Sequence, residues 1–181
     1  MSNPLQFEAF MRNYQNMVFT TAYRLLADES EAQDIAQEVF LKAYGHFDNL
    51  STSRTASGWL RTVTRNLCLN HLTRHRSRRQ LFSELASGKN DVENPEEYFA
   101  APDIFAADIE SAEQRALLAG ALEKLPAAQR VPLVLHHLED MSCEAIARSL
   151  NVSQAKVRVD MHRGRLALRR ILTREPETRP F

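Results

Sequence analysis

Apolar residues recur at steps of three and four over long stretches of the chain, which is the period of an amphipathic helix. The first stretch covers residues 7–25, and its apolar side chains would lie on one face of one helix. A second begins at a capping-box pattern, Ser30 with Gln33. A third, beyond a polar segment, is predicted from about residue 59 to residue 76.

The same period returns near the carboxyl end, from about residue 113 to 124 and from 130 to 138. Residues 81–113 between the two helical blocks contain one glycine and two prolines and have little periodicity, which is typical of a linker. Few glycines and little strand-like alternation favour an all-α fold. We therefore expect two small helical domains, 1–80 and 114–175, joined by a flexible linker.

Residues 142–170 read as two short helices hinged at Leu150-Asn151-Val152. Ser142 and Ser153 are N-cap candidates, and Asn151 tolerates the left-handed conformation that a tight turn requires. The second helix carries seven positive side chains before its end. This layout predicts a helix-turn-helix, whose second helix lies in the DNA major groove. The alternative is an ordinary helical hairpin with a solvated basic face.

The net charge is zero, but the charges are segregated. No acidic residue lies between Asp48 and Glu84, where seven arginines occur, whereas residues 81–113 contain nine acids and one lysine. Residues 156–174 are basic again, with Asp160 as the one acid. A basic, acidic, basic pattern indicates two nucleic-acid surfaces joined by an acidic tether, although solvated helix faces would give the same runs.

The third predicted helix carries neutral polar side chains, Thr62, Asn66, Asn70 and Thr73, on one face. Arginines lie beside them on the same helix. Amides and hydroxyls suit contacts to base edges, and arginines suit contacts to phosphates. Trp59 opens the helix and would either pack in the core or stack on an unpaired base.

Other chemistry is weakly indicated. Cys68, His71 and His75 share a helix face, but no fourth ligand is evident, so we expect no metal and no cofactor. No phosphate-binding glycine loop or nucleophile elbow occurs, so we expect no enzyme. The two cysteines form no CxxC pair, which favours a reducing compartment. No apolar run approaches the length of a membrane span, so we expect a soluble, cytoplasmic protein.

Three runs together resemble bacterial RNA polymerase sigma factors of the extracytoplasmic-function (ECF) group. They are DIAQEVFLKAY at 34–44, WLRTVTRNLCLNHL from residue 59, and the helix-turn-helix region. The resemblance covers roughly residues 5–80 and 114–172. It implies the second and fourth sigma domains, with core RNA polymerase, promoter DNA and a cognate anti-sigma factor as partners.

The resemblance, together with the residue types, identifies three sets of candidate site residues. The polymerase-binding set is Asp34, Gln37, Glu38, Phe40 and Leu41. The set for the promoter −10 element is Leu50, Trp59, Arg61, Thr62, Arg65, Asn66, Asn70 and Arg74. The set for the −35 element is Ser153, Gln154, Lys156, Arg158, Arg163 and Arg165.

The chain departs from the family pattern at two places. Leu50 stands where an aromatic residue is expected in the loop 48–57, which resembles the element that captures a flipped −10 base. Val159-Asp160 stands where the family commonly has Ser-Arg. Asp160 would either alter base specificity or form an internal salt bridge with Arg163 or Lys156.

In the family, the linker threads the polymerase cleft and RNA exit channel. Its acids could also shield the two basic surfaces of the free protein, in which case neutralising Asp91, Glu93, Glu96 and Glu97 would increase DNA binding. The alternative functions are a free-standing helix-turn-helix regulator that binds duplex DNA without polymerase, and a helical adaptor that binds only proteins. The adaptor leaves the arginines on both helical units unexplained.

Overall fold

The computed structural model describes residues 4–83 and 111–174, with side chains described for 4–75 and 111–173. Within these ranges the structure contains eight helices and no strand, which confirms the predicted all-α class. The chain divides between Ser87 and Gly88 into two compact units. Most of the predicted linker, including the four acids proposed for neutralisation, lies outside the described residues.

Unit 1 contains α1 (Pro4–Leu26), α2 (Glu29–Gly45), the short α3 (Phe47–Leu50) and α4 (Ala56–Ser83). Helix α1 packs against both α2 and α4, and α2 also packs against α4. The three long helices meet in a buried core, because each helix turns its apolar stripe inward. Its centre is formed by Val18, Ala22, Leu25, Val39 and Leu60.

The start of α2 differs from the sequence prediction. The N-cap is Asp28, whose carboxylate accepts a 2.9 Å hydrogen bond from the backbone N–H of Glu31, and Ser30 already lies in the first turn. The reason is that α1 ends at Leu26 and the left-handed Ala27 (φ 51°) reverses the chain within two residues. An aspartate at the cap also interacts favourably with the positive end of the helix dipole.

The polar segment after α2 also differs from expectation, because it begins with a helical turn. Residues 47–50 form α3, and both Phe47 and Leu50 are buried. The apolar residues at each end of this turn pack inward, which polar composition alone did not indicate. Helix α4 then begins three residues earlier and ends seven residues later than predicted.

Unit 2 contains α5 (Ala112–Glu123), α6 (Ala127–His137), α7 (Cys143–Leu150) and α8 (Gln154–Arg174). Helix α8 packs against each of the other three. Helix α5 begins with a full capping box between Ser111 and Gln114, a signal present in the sequence that the prediction did not use. Helix α6 begins three residues before the predicted start, directly after Pro126.

The predicted helix-turn-helix is confirmed in its local geometry. The Ser142 hydroxyl accepts from the Ala145 N–H and the Ser153 hydroxyl from the Lys156 N–H, each at 3.1 Å. Asn151 adopts the left-handed conformation (φ 54°, ψ 50°) that ends α7. Helix α8 therefore leaves α7 through a tight turn, with its amino-terminal end capped.

Candidate nucleic-acid and protein interfaces

The first candidate interface lies on α2. Asp34, Gln37, Glu38 and Leu41 are all exposed, and Leu41 exposes 74% of its surface. We call these four residues the α2 surface. An exposed leucine beside two acids combines apolar area with charge, which is how protein-binding surfaces are commonly built.

Phe40 does not belong to this surface. It exposes only 7% of its area, so it is the one buried member of the predicted polymerase-binding set. The cause is helical geometry, since successive residues are rotated by about 100° around the helix axis. Phe40, next to the buried Val39, still lies in the arc that faces the core, whereas Leu41 is rotated about 100° further and points to solvent. The sequence prediction missed Tyr44, which is exposed one turn after Leu41 and contacts the Phe7 ring edge-on at 5.0 Å.

The second candidate interface lies on α4. Arg61, Thr62, Asn66, Asn70 and Arg74 are exposed, and we call them the α4 face. The opposite side of the same helix, at Leu60, Thr64 and Cys68, is fully buried, which fixes the direction of the α4 face.

Two residues near this face are less available to a partner than the α4 face itself. Thr73 donates a 2.8 Å hydrogen bond to the Leu69 carbonyl, so its hydroxyl hydrogen is already used. Arg65 is half-buried, and its Nε has no hydrogen-bond partner among the described residues. Arginines 76, 78 and 79 continue along α4, but their side chains lie outside the described set.

The segment between α3 and α4 presents different residues from those predicted. Leu50 exposes 6% of its area, so it belongs to the core and cannot meet a base without leaving it. Trp59 is half-buried, with its ring 5.7 Å from that of His46 at 65°. The exposed residues of this segment include Ser51, Thr52 and Arg54, which the pattern of polar residues alone did not single out.

The third candidate interface lies on α8. Ser153, Gln154, Lys156 and Arg158 are exposed at or just after the start of the helix. Arg163 is exposed farther along α8, and we call these five residues the α8 surface. Arg165 is half-buried, and its Nε has no hydrogen-bond partner among the residues described. The amino-terminal residues of a recognition helix are those that reach base edges.

Asp160 lies beneath the α8 surface rather than on it. Its carboxylate Oδ2 is 2.9 Å from Nζ of Lys156, one turn earlier, and the residue exposes 9% of its area. The structure thus contains the internal salt bridge with Lys156, one of the two alternatives left open by the sequence. The pair cancels the positive charge of Lys156 at short range.

Two further ionisable groups in unit 2 support the fold. Arg130 is buried and its Nη1 donates a 2.7 Å hydrogen bond to the Leu125 carbonyl; burial lowers the pKa of Arg130, and nearby Glu123 opposes that shift. Burial, followed by the positive charge of Arg165, lowers the pKa of His162 below its usual value. His162 therefore adds little positive charge to α8 at neutral pH.

Helices α2 and α4 bring Glu31, His71 and His75 together at one edge of unit 1. The sequence grouped the two histidines with Cys68, but Cys68 is buried in the core and Glu31 takes its place. Glu31 is forty residues away along the chain, so helix periodicity could not have found it.

No helix within residues 4–83 and 111–174 is long and apolar enough to cross a membrane. Two protein families match the chain: Sigma-70 region 2 over residues 10–78, and Sigma-70 region 4 over residues 115–168.

Two named proteins illustrate the similarity. The ECF RNA polymerase sigma factor SigW of Bacillus subtilis is 30% identical over 160 residues, covering 88% of this chain and 84% of the relative. The RNA polymerase sigma-E factor of Streptomyces avermitilis is 33% identical over 166 residues, covering 91% and 84%. A co-crystal structure of the sigma factor RpoE with the anti-sigma factor NepR from Bartonella quintana aligns with a TM-score of 0.48 at 20% identity, over 94% of this chain and 98% of that one.

Proposed function

The chain belongs to the ECF group of bacterial RNA polymerase sigma factors, and from that premise we propose that it binds core RNA polymerase, directs it to specific promoters and helps to melt the −10 region. The observation that carries the proposal is the order of the two matched regions. An exposed polar helix face in the first unit is followed, in the same chain, by a helix-turn-helix. We assign residues 1–80 to core binding and −10 recognition, 81–113 to the acidic linker, and 114–175 to −35 recognition.

Core polymerase docks on the α2 surface. Leu41 supplies apolar area that is exposed in the free protein, and Asp34 and Glu38 steer the helix toward a basic partner. Burying a leucine side chain contributes roughly 1.5–3 kcal/mol, so Leu41 is the strongest single candidate. Phe40 does not contact the polymerase, but its buried ring fixes the orientation of α2. Tyr44 extends the docking area by one helical turn.

The α4 face reads the −10 element after the strands separate. The amides of Asn66 and Asn70 can both donate to and accept from base edges, while Arg61 and Arg74 bind phosphates. Opening the duplex costs about 1.4 kcal/mol of stacking per step, and the protein hydrolyses nothing to offset that cost. Binding the open strand better than the duplex must supply the difference, with stacking worth roughly 1–3 kcal/mol per base.

The flipped base is captured by the exposed residues between α3 and α4 rather than by Leu50. Trp59 forms the wall of this element beside His46, and Arg54 is available for the adjacent phosphate. This arrangement keeps the buried leucine in the core while the polar segment meets the DNA.

The α8 surface reads the −35 element in the major groove. Gln154 and Arg158 lie in the first turns of α8 and are directed to base edges, while Arg163 and Arg165 contact phosphates farther along. Lys156 is held by Asp160, so it contributes less to phosphate binding than its charge alone would indicate.

The remaining partners follow from family membership. A cognate anti-sigma factor restrains the protein, and the acidic linker enters the basic channel of the polymerase. The protein works in the cytoplasm and carries out no catalysis of its own, because the polymerase makes the RNA.

Run-off transcription with core polymerase on a promoter library tests the proposal. The wild-type chain should support transcription from a defined promoter class, and Asn66→Ala and Arg158→Ala should each reduce it. Matched controls are Asn13→Ala on α1 and Arg115→Ala on α5, which remove the same side chains from exposed positions outside the three surfaces. Failure to associate with core enzyme, with specific binding to intact duplex, would instead establish the free-standing regulator.

A further inference from the structure

The cluster formed by Glu31, His71 and His75 has no role in the proposed function. The Nε2 atom of His71 contacts Oε2 of Glu31, and the Nε2 atom of His75 lies 3.9 Å from Oε1 of the same carboxylate. The two imidazole rings are 4.3 Å apart between centroids. One ligand atom from each of the three residues falls within 4.8 Å of the other two.

The backbone positions of the cluster are fixed by rigid elements. The N–H of Glu31 is bound to the Asp28 cap, which ties the carboxylate to the first turn of α2. His71 and His75 are four residues apart on α4, so they lie one above the other on the same helix face. The turn before them is anchored by the buried Cys68 and Leu69.

We propose that Glu31, His71 and His75 form a binding site for a divalent transition-metal ion of the zinc class. Two imidazole nitrogens and one carboxylate are a donor set that such ions prefer, whereas Mg²⁺ and Ca²⁺ favour oxygen ligands alone. Bonds of about 2.0–2.1 Å from a tetrahedral ion place neighbouring donors about 3.3 Å apart. The three donor atoms already lie within 4.8 Å of one another, close to that spacing.

The site is accessible to solvent. The side chains of His71, Glu31 and His75 expose 27%, 35% and 50% of their area, so a fourth coordination position remains open to water. A site with three protein ligands and one open position differs from structural zinc sites, which have four protein ligands. The bound ion therefore exchanges with ions in solution. When it is bound, it links the amino-terminal end of α2 to the middle of α4.

Cobalt titration of the metal-free full-length protein tests the site directly. One equivalent of Co²⁺ should give visible d–d absorption that Zn²⁺ removes by competition. Free Zn²⁺ at a hundredfold above its Kd should raise the Tm of unit 1 by about 10–20 °C. Fluorescence reports this unit specifically, because the one tryptophan of the chain, Trp59, lies within it.

Matched variants assign the ligands. Glu31→Gln, His71→Ala and His75→Ala should each remove the cobalt absorption and the zinc-dependent rise in Tm. Glu29→Gln removes an exposed carboxylate from the same turn of α2, and His46→Ala removes an exposed imidazole elsewhere in unit 1. Both controls should bind Co²⁺ as the wild type does.

Three results would overturn the proposal. The first is no cobalt absorption in the wild type, which would leave the cluster as an ordinary pairing of histidines with a carboxylate. The second is Co²⁺ binding by all three ligand variants that equals binding by the wild type. The third is a near-ultraviolet thiolate-to-cobalt band, which would make a cysteine, Cys68 or Cys143, a ligand and replace the proposed donor set.

Discussion

Replacing Gly164 by alanine should weaken unit 2, because at this position α8 approaches α6 too closely for a side chain. A Cβ atom added to Gly164 would lie 2.6 Å from Cδ1 of Leu133 and 3.2 Å from the backbone carbonyl oxygen of Gln129. Ordinary contacts of a Cβ atom begin at about 3.4 Å. Leu133 is fully buried and the carbonyl belongs to the α6 backbone, so neither neighbour has free space to move into.

Two opposing contributions set the change in the free energy of unfolding of unit 2. Overpacking a filled core costs roughly 1–3 kcal/mol, while replacing glycine by alanine inside a helix stabilises it by about 1 kcal/mol. We therefore expect a net loss of about 1 kcal/mol, within a range of about 0–2 kcal/mol, in the free energy of unfolding of unit 2. Gly120→Ala on α5 is the matched control, because nothing lies within 4 Å of its added Cβ and only the favourable helix term remains.

Native-state hydrogen exchange of α6 and α8 amides measures this quantity in the intact protein, because it resolves unit 2 from unit 1. Gly164→Ala should lower the opening free energy of these amides, Gly120→Ala should raise it slightly, and Trp59 fluorescence should report unchanged unfolding of unit 1. If Gly164→Ala stabilises unit 2 as much as Gly120→Ala does, the close approach of α8 to α6 described above is refuted.

Three further predictions concern the other surfaces. Asp160→Asn should release Lys156 for phosphate binding and make the slope of log K against log salt more negative by about 0.9 in binding to −35 DNA; an unchanged slope would show that Lys156 does not reach the backbone. Leu41→Ala should weaken binding to core polymerase about tenfold, or about 1.4 kcal/mol, as measured by fluorescence anisotropy, whereas Leu117→Ala, an exposed leucine on α5, should not. Asn151→Ala should cost about 1 kcal/mol of stability in thermal unfolding because its φ is positive, and Asn151→Gly should cost nothing; equal losses would exclude backbone strain as the cause.

The local features of the fold could be predicted because each depends on residues close in sequence. The hydroxyls of Ser142 and Ser153 cap their helices as expected, and Asn151 makes the expected turn. The cap of α2 was placed wrongly because Ser30 and Asp28 are both good cap residues. The left-handed Ala27, which sequence patterns do not reveal, decides between them.

The candidate surfaces were predictable only in part. Helix period gives the exposed stripe of α4, and it also places Phe40 inside the core-facing arc of α2 and Leu41 outside it, so the burial of Phe40 could have been predicted. Leu50 was misplaced because its burial depends on how α3 packs. The partnership of Glu31 with His71 is a tertiary contact between helices, which one sequence without related sequences does not contain.

The burial of Phe40 beside the exposed Leu41 has a consequence for the kinetics of assembly. Helix α2 cannot rotate about its axis without pulling an aromatic ring out of the core, so its outward side chains are presented in one fixed orientation. With α2 as the proposed docking helix, core enzyme meets a preorganised partner, and the entropy lost on association is confined to a few side-chain rotamers. Encounter should accordingly follow a single bimolecular step, with no preceding rearrangement of the helix to limit its rate.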